Sequence, residues 1–94
     1  MSYLSLLSPI TIGNMRLTNR VIMAPLTRLR SADMPNGTPT IGGLPTDLMA
    51  QYYTQRATAG MIITEATDIS PTAKGYAGAP AIFDTAQVSK WKTV

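Results

Sequence analysis

Arg20-Val21-Ile22-Met23-Ala24-Pro25-Leu26-Thr27-Arg28 is the stretch whose reading decides the fold. Val21, Ile22, Met23 and Ala24 form a short continuous apolar run. A run apolar on both faces predicts a strand buried on both sides, as in a parallel sheet. Pro25 has no N–H and cannot extend a ladder inside a sheet, so the chain leaves the sheet there. Leu26 and Thr27 then lie at the strand's carboxyl end, which is where ligands sit in α/β folds. Taken alone, Thr27 reads as a turn or helix-capping residue before it reads as a ligand contact.

Downstream, residues 31–45 carry Pro35, Asn36, Gly37, Pro39, Gly42, Gly43 and Pro45, which is loop chemistry throughout. Long loops in compact domains border ligands or are tolerated insertions, and both readings stand here. Thr46 then predicts an N-cap, with Asp47 favourable at the positive end of the helix dipole. Leu48, Met49, Tyr52, Tyr53, Arg56 and Ala57 come next at three- and four-residue spacing, which predicts one buried helical face. At that spacing the two tyrosines read as core before they read as a binding stripe. Gly60 is expected to close the helix at C′. Met61-Ile62-Ile63-Thr64-Glu65-Ala66-Thr67 is a second short apolar run ending in polar and small residues. Strand, helix and strand in this order form a βαβ unit, with parallel strands and a right-handed crossover. Glu65 reads as a general acid or base or as a hydrogen-bonded structural carboxylate, and a lone carboxylate favours the second.

Residues 68–83 form a second long loop with Pro71, Gly75, Gly78 and Pro80, presenting Lys74 and Tyr76 among small residues. Neither a Walker loop nor GxGxxG is present. Asp84 and Gln87 are spaced as a capping box, so a helix starts near Thr85, with Val88 and Trp91 expected inward. Upstream, Ile10-Thr11-Ile12 and Met15-Arg16-Leu17 flank Gly13-Asn14, the signal of a two-residue hairpin. Alone such a hairpin is marginal and must pack on something.

The chain has 94 residues, with neither Cys nor His. That removes an imidazole base and a thiolate nucleophile, and leaves only scattered acids for a metal. Lack of Cys fits a cytoplasmic protein. No basic-then-apolar leader or transmembrane run is present in the sequence. The net charge of +3 comes from scattered basic residues without interleaved aromatics, which argues against nucleic-acid binding. Two strands apolar on both faces need more cover than one and a half helices and a hairpin provide. The expected last helix also runs to the end of the sequence, which is no domain boundary. The chain therefore reads as a segment of a larger barrel or sheet.

Four motifs in order carry a resemblance over nearly the whole chain. They are Met23-Ala24-Pro25-Leu26-Thr27-Arg28, Gln51-Tyr52-Tyr53-Thr54-Gln55-Arg56-Ala57, Ile63-Thr64-Glu65-Ala66-Thr67 and Lys74-Gly75-Tyr76-Ala77-Gly78-Ala79-Pro80. With them the sequence resembles the Old Yellow Enzyme family of FMN-dependent ene-reductases, and within it the bacterial branch. The loop at 32–44 looks longer than in those relatives. The resemblance implies an α/β chain that is the N-terminal part of a (β/α)8 TIM barrel: hairpin, first strand, first helix, second strand and the start of the second helix. Such a barrel needs about 250 residues, so residues 1–94 would be one segment of a single domain whose remainder is absent from the chain.

The resemblance also implies FMN as cofactor and NADPH or NADH as co-substrate, with enones, maleimides or nitro compounds as acceptors. Carried over residue by residue, Ala24, Pro25 and Leu26 meet the isoalloxazine through backbone groups, Thr27 donates its hydroxyl near the reactive N5, and Ala66 is the small residue beside the ring. Tyr76 matches a tyrosine lining the substrate pocket. No catalytic residue falls in this chain, because the family's substrate-anchoring His pair, its proton-donating tyrosine and its phosphate-binding residues come later. Activity would then need a complementary C-terminal fragment of the same barrel, in a split, cleaved or circularly permuted enzyme. The alternative is a non-enzymatic fragment that associates through its strand edges.

Overall fold

A computed structural model of the chain describes residues 4–35 and 42–94. Asn36, Gly37 and Pro39 of the expected loop lie outside the described residues. The first described element is α1 (Leu4–Leu7), a single turn too short to leave a periodic signal in sequence. Arg20 ties it to the strand region, donating from its backbone N–H to Leu6 O at 2.8 Å and from Nε to Ser8 Oγ at 3.2 Å.

The hairpin is present as β1 (Ile10–Ile12) and β2 (Met15–Leu17), antiparallel with Ile10 opposite Leu17 and Ile12 opposite Met15. Its turn needs a residue tolerant of positive φ, and Gly13 has φ 59°. Leu17 is buried, whereas Ile12 and Met15 remain exposed.

The parallel pair is β3 (Ile22–Met23) and β6 (Met61–Ile62), with Ile22 opposite Met61 and Met23 opposite Ile62. Its ladder is extended by Gly60 N to Val21 O at 2.9 Å and Ile63 N to Met23 O at 3.0 Å. Burial on both faces is not what these strands show: Val21 is 46% and Ile22 43% exposed. An open groove of about 740 Å³ runs past Leu7, Val21, Ile22, Leu26 and Arg56. The apolar pattern thus exceeds the cover that these residues provide for each other.

The crossover between them is α2 (Asp47–Thr54), capped as expected by Thr46 Oγ1 accepting from Met49 N at 3.1 Å. Its buried residues are Met49, Ala50 and Tyr53, and Leu48 is 71% exposed. The expected face is therefore rotated: Tyr52 is half-buried, and Arg56 and Ala57 are exposed. Gly60 is also not the helix cap. Gln55 ends the helix in a right-handed conformation, φ −63°. Gly60 is needed for a close approach, because a Cβ there would collide with the Asn19 carbonyl oxygen. Asn19 anchors the junction, with Oδ1 accepting from Val21 N at 3.0 Å and Gly60 N at 2.9 Å, and Nδ2 donating to Thr58 O at 2.8 Å.

Inside the segment read as loop, β4 (Ala32–Asp33) and β5 (Gly43–Leu44) pair antiparallel. The last helix, α3 (Thr85–Trp91), has the expected capping box. Its inward residue is Gln87, which is completely buried, and not Val88, which is 38% exposed. Gln87 Oε1 accepts from Phe83 N and Asp84 N at 3.0 Å each, while Nε2 contacts Met34 Sδ at 3.3 Å. An amide satisfied on both ends can occupy a core position. Trp91 is half-buried, its Nε1 donating to Ala81 O at 2.9 Å. The helix closes at Trp91 with Lys92 as its cap, so the chain does not end within it. Among the described residues no helix is long and apolar enough to cross a membrane.

Candidate functional site

Because β3 and β6 are parallel and in register, residues 24–27 and 63–66 continue from the same end of the pair. That end brings Ala24, Pro25, Leu26, Thr27 and Ala66 together on one side of the molecule, all exposed. Leu26 is 60% exposed, and the Thr27 hydroxyl makes no hydrogen bond to a described residue. The helix-capping reading of Thr27 is therefore not met. The result is a shelf of small and apolar residues with one free hydroxyl.

The segments after the two strands are stitched to each other beyond the shelf. Ser31 donates to Gly78 O from both N (3.1 Å) and Oγ (2.6 Å), and Ser31 Oγ accepts from Gly43 N at 2.9 Å. Gly42 and Gly78 make this approach possible: a Cβ on Gly42 would stand 2.7 Å from Gly78 Cα, and Gly78 itself has φ 88°. Leu29 adopts φ 59°, a left-handed conformation uncommon for a branched side chain, where the chain turns from the shelf toward Ser31. Ser31 and this glycine pair carried no sequence signal beyond loop chemistry, because their joining role comes from contacts between residues far apart in the chain.

Tyr76 lies on the second of these segments and is 65% exposed. Among the described residues no side-chain hydrogen bond joins it to the shelf. Lys74 is structural: Nζ pairs with Asp68 Oδ2 at 2.9 Å and donates to Ala79 O at 3.1 Å, which holds the segment's two limbs together. Asp68 also bridges to Ala81 in parallel fashion.

Glu65 is the structural group that its residue context suggested. It is 3% exposed, and its Oε2 accepts from the Tyr53 hydroxyl at 2.8 Å. The same hydroxyl accepts from Glu65 N at 3.1 Å. Tyr53 thus clamps the segment after β6 to α2, one residue before Ala66. Burial pushes the Tyr53 phenol up to about 12; the Glu65 backbone N–H lowers it, and the hydrogen bond and charge of the Glu65 carboxylate raise it. The clamp is a neutral phenol at any ordinary pH. Beside it, Tyr52 meets Tyr53 edge-on at 5.5 Å. Tyr52 also carries two guanidiniums on its ring, Arg28 at 4.2 Å and Arg56 at 3.8 Å. Among the described residues no three His, Cys, Asp or Glu gather as metal ligands.

A short parallel strand pair with a crossover helix and a shelf at its carboxyl end defines an α/β chain, with the βαβ unit from which (β/α)8 barrels are built. Residues 5–94 match the family described as NADH:flavin oxidoreductase / NADH oxidase, and the chain belongs to that family. It is 46% identical over 90 residues to 12-oxophytodienoate reductase 1 of Oryza sativa subsp. japonica, covering 95% of this chain and 21% of that protein. Its structure is similar to that of morphinone reductase in complex with tetrahydroNAD, with a TM-score of 0.83 and 48% identity over 95% of this chain and 22% of that one. The old yellow enzyme homologue from Zymomonas mobilis gives a TM-score of 0.81 at 46% identity, over 95% of this chain and 23% of that one. The chain thus spans about a fifth of the length of the relatives it matches.

Proposed function

We propose that this chain forms one wall of the flavin site of an FMN-dependent oxidoreductase that reduces activated alkenes (enones, maleimides and nitro compounds) with NADPH or NADH. The supporting observation is the shelf, in a chain of this family: small residues at the ends of two parallel strands, with a free Thr27 hydroxyl. Its chemistry fits a flat, largely apolar ring with a polar edge. With FMN bound there, the chemistry supplied is hydride transfer from a nicotinamide to an electron-poor alkene. The complex of the similar morphinone reductase with tetrahydroNAD supports the nicotinamide part. Ala24, Pro25 and Leu26 would hold the ring, offering it backbone groups and apolar surface. Ala66 leaves it room, since a methyl group is the smallest side chain that still buries apolar area. Thr27 would offer its hydroxyl as a donor at the polar edge of the ring, where it would stabilise negative charge. Tyr76 lines the substrate side.

The substrate-activating donors and the proton source lie outside residues 1–94. The chain works as a segment of a single barrel domain, with a complementary C-terminal fragment as its partner and the alkene as its small-molecule ligand. The proposed location is cytoplasmic. The exposed edges of β3 and β6 also favour the alternative, a fragment that associates without enzymatic activity.

Stopped-flow reduction of the reconstituted complex separates these readings. Losing one hydrogen bond to developing charge costs about 1.5 kcal/mol, roughly tenfold in rate. Thr27→Ala should slow flavin reduction by that factor. An unchanged rate overturns the role of Thr27, and a complex that takes up no flavin leaves the non-enzymatic reading.

A further inference from the structure

Glu65 has two carboxylate oxygens and the Tyr53 clamp uses one. Oε1 is buried and has no hydrogen-bond partner among the described residues. A buried carboxylate oxygen left without a donor is costly, so native structures supply one. Glu65 also lines a pocket of about 290 Å³ between α2 and the segment after β3, together with Arg28, Arg30, Leu48, Met49 and Gln51. The pocket therefore holds a buried acceptor behind a partly apolar entrance.

We infer that this pocket is a docking socket for a neutral hydrogen-bond donor (a side-chain amide, hydroxyl or indole N–H) carried by the barrel segment outside this chain. The inference rests on the partner reading proposed above. Charge sets the class of donor. Arg28 and Arg30 line the same pocket as the Glu65 carboxylate, so an incoming cation would meet two positive charges and an incoming anion would meet Glu65. Ion pairs among the described residues are Lys74 with Asp68 and Lys90 with Asp47, and neither arginine pairs with Glu65. Arg28 is instead stacked on Tyr52. Pocket shape points the same way. Leu48 and Met49 offer apolar wall for a side-chain stem, and the pocket is open to an incoming segment. Chain length agrees: the matched relatives are about five times longer than this chain, so ample polypeptide exists to fill the socket.

Glu65 is the sole glutamate of the sequence, which makes the test direct. The chain is labelled with ¹³C at the glutamate carboxyl carbon and titrated, at fixed pH, with the complementary segment of morphinone reductase. The single carboxyl resonance should move on complex formation, and move equally in Arg28→Gln and Arg30→Gln. Glu65→Gln, which must offer an NH₂ either to the incoming donor or to Tyr53, should weaken association at least tenfold. A complex that forms without moving the resonance overturns the inference. So does a shift that R28Q or R30Q abolishes, since the donor is then internal. The resonance is read on the unaltered chain, so the test stands even where E65Q does not fold. Absence of any complex with the unaltered chain contradicts the partner reading itself, a different result from a complex with an unmoved resonance.

Discussion

Removing one oxygen atom, in Tyr53→Phe, should loosen the segment after β6 from α2. The hydroxyl serves Glu65 twice, donating to Oε2 at 2.8 Å and accepting from N at 3.1 Å. Both residues are buried, Tyr53 at 5% and Glu65 at 3% exposure, so water does not readily replace either bond. A hydrogen bond to a charged group contributes about 1.5–3 kcal/mol, and an orphaned buried N–H costs about 1–3 kcal/mol. The ring itself is retained, so packing changes little. The expected loss is therefore about 2.5–6 kcal/mol of stability, large against the roughly 5–15 kcal/mol of a typical domain. Urea unfolding monitored by the fluorescence of Trp91, the chain's single tryptophan, measures it. A double-mutant cycle with Glu65→Gln should give a coupling of about 1–3 kcal/mol. A Tyr53→Phe loss under about 0.5 kcal/mol, with no coupling, would refute the clamp.

The same contacts have other consequences. Gly60→Ala should destabilise by about 1–3 kcal/mol or more, as for other overpacked sites, because its Cβ meets Asn19 backbone; an unchanged melting temperature contradicts that. Gln87→Ala leaves the Phe83 and Asp84 N–H groups without their acceptor and opens a cavity, for a loss of about 2–4 kcal/mol by urea titration. Thr46→Ala removes the cap of α2 and should cost about 1 kcal/mol, seen as a lower denaturant midpoint. The Tyr53 phenol, pushed up to about 12 from 10, favours the protonated folded form. Its contribution is complete below pH 10 and is lost as pH rises through 12. Stability in Tyr53→Phe should accordingly fall less across that window than in the parent.

The features legible in advance are local. The Gly13 turn, the Thr46 cap and the Asp84–Gln87 box depend on residues within four positions of each other, and all three are present. The parallel pairing of β3 and β6 comes from two apolar runs separated by a helix. The features that escaped depend on distant partners. Gly60 stands where a cap glycine would, yet its need for no side chain comes from Asn19, 41 residues away. Gln87 reads as a polar capping residue, but Met34 and the Phe83 and Asp84 amides make a core position habitable for it. The pairing of β4 with β5 lay hidden in a Gly- and Pro-rich stretch, whose two-residue strands are too short to alternate.

The site divides in the same way. Ala24, Pro25, Leu26, Thr27 and Ala66 share one end of the pair because the register puts them there, and their flavin role rests on the resemblance and remains a proposal. Ser31, Gly42 and Gly78, which join the segments beyond the shelf, read in sequence only as loop residues. Glu65 was legible as a structural carboxylate, but its free oxygen and the pocket in front of it were not.

A visible absorption spectrum tests most directly whether these strand ends are a flavin wall completed by a partner segment. The chain is mixed with the complementary barrel segment and FMN, desalted, and scanned. A retained flavin band, shifted from that of free FMN, is the predicted result, and Thr27→Ala should alter the shift. A stable complex that emerges colourless after FMN addition would contradict the flavin wall and leave only the strand-edge association.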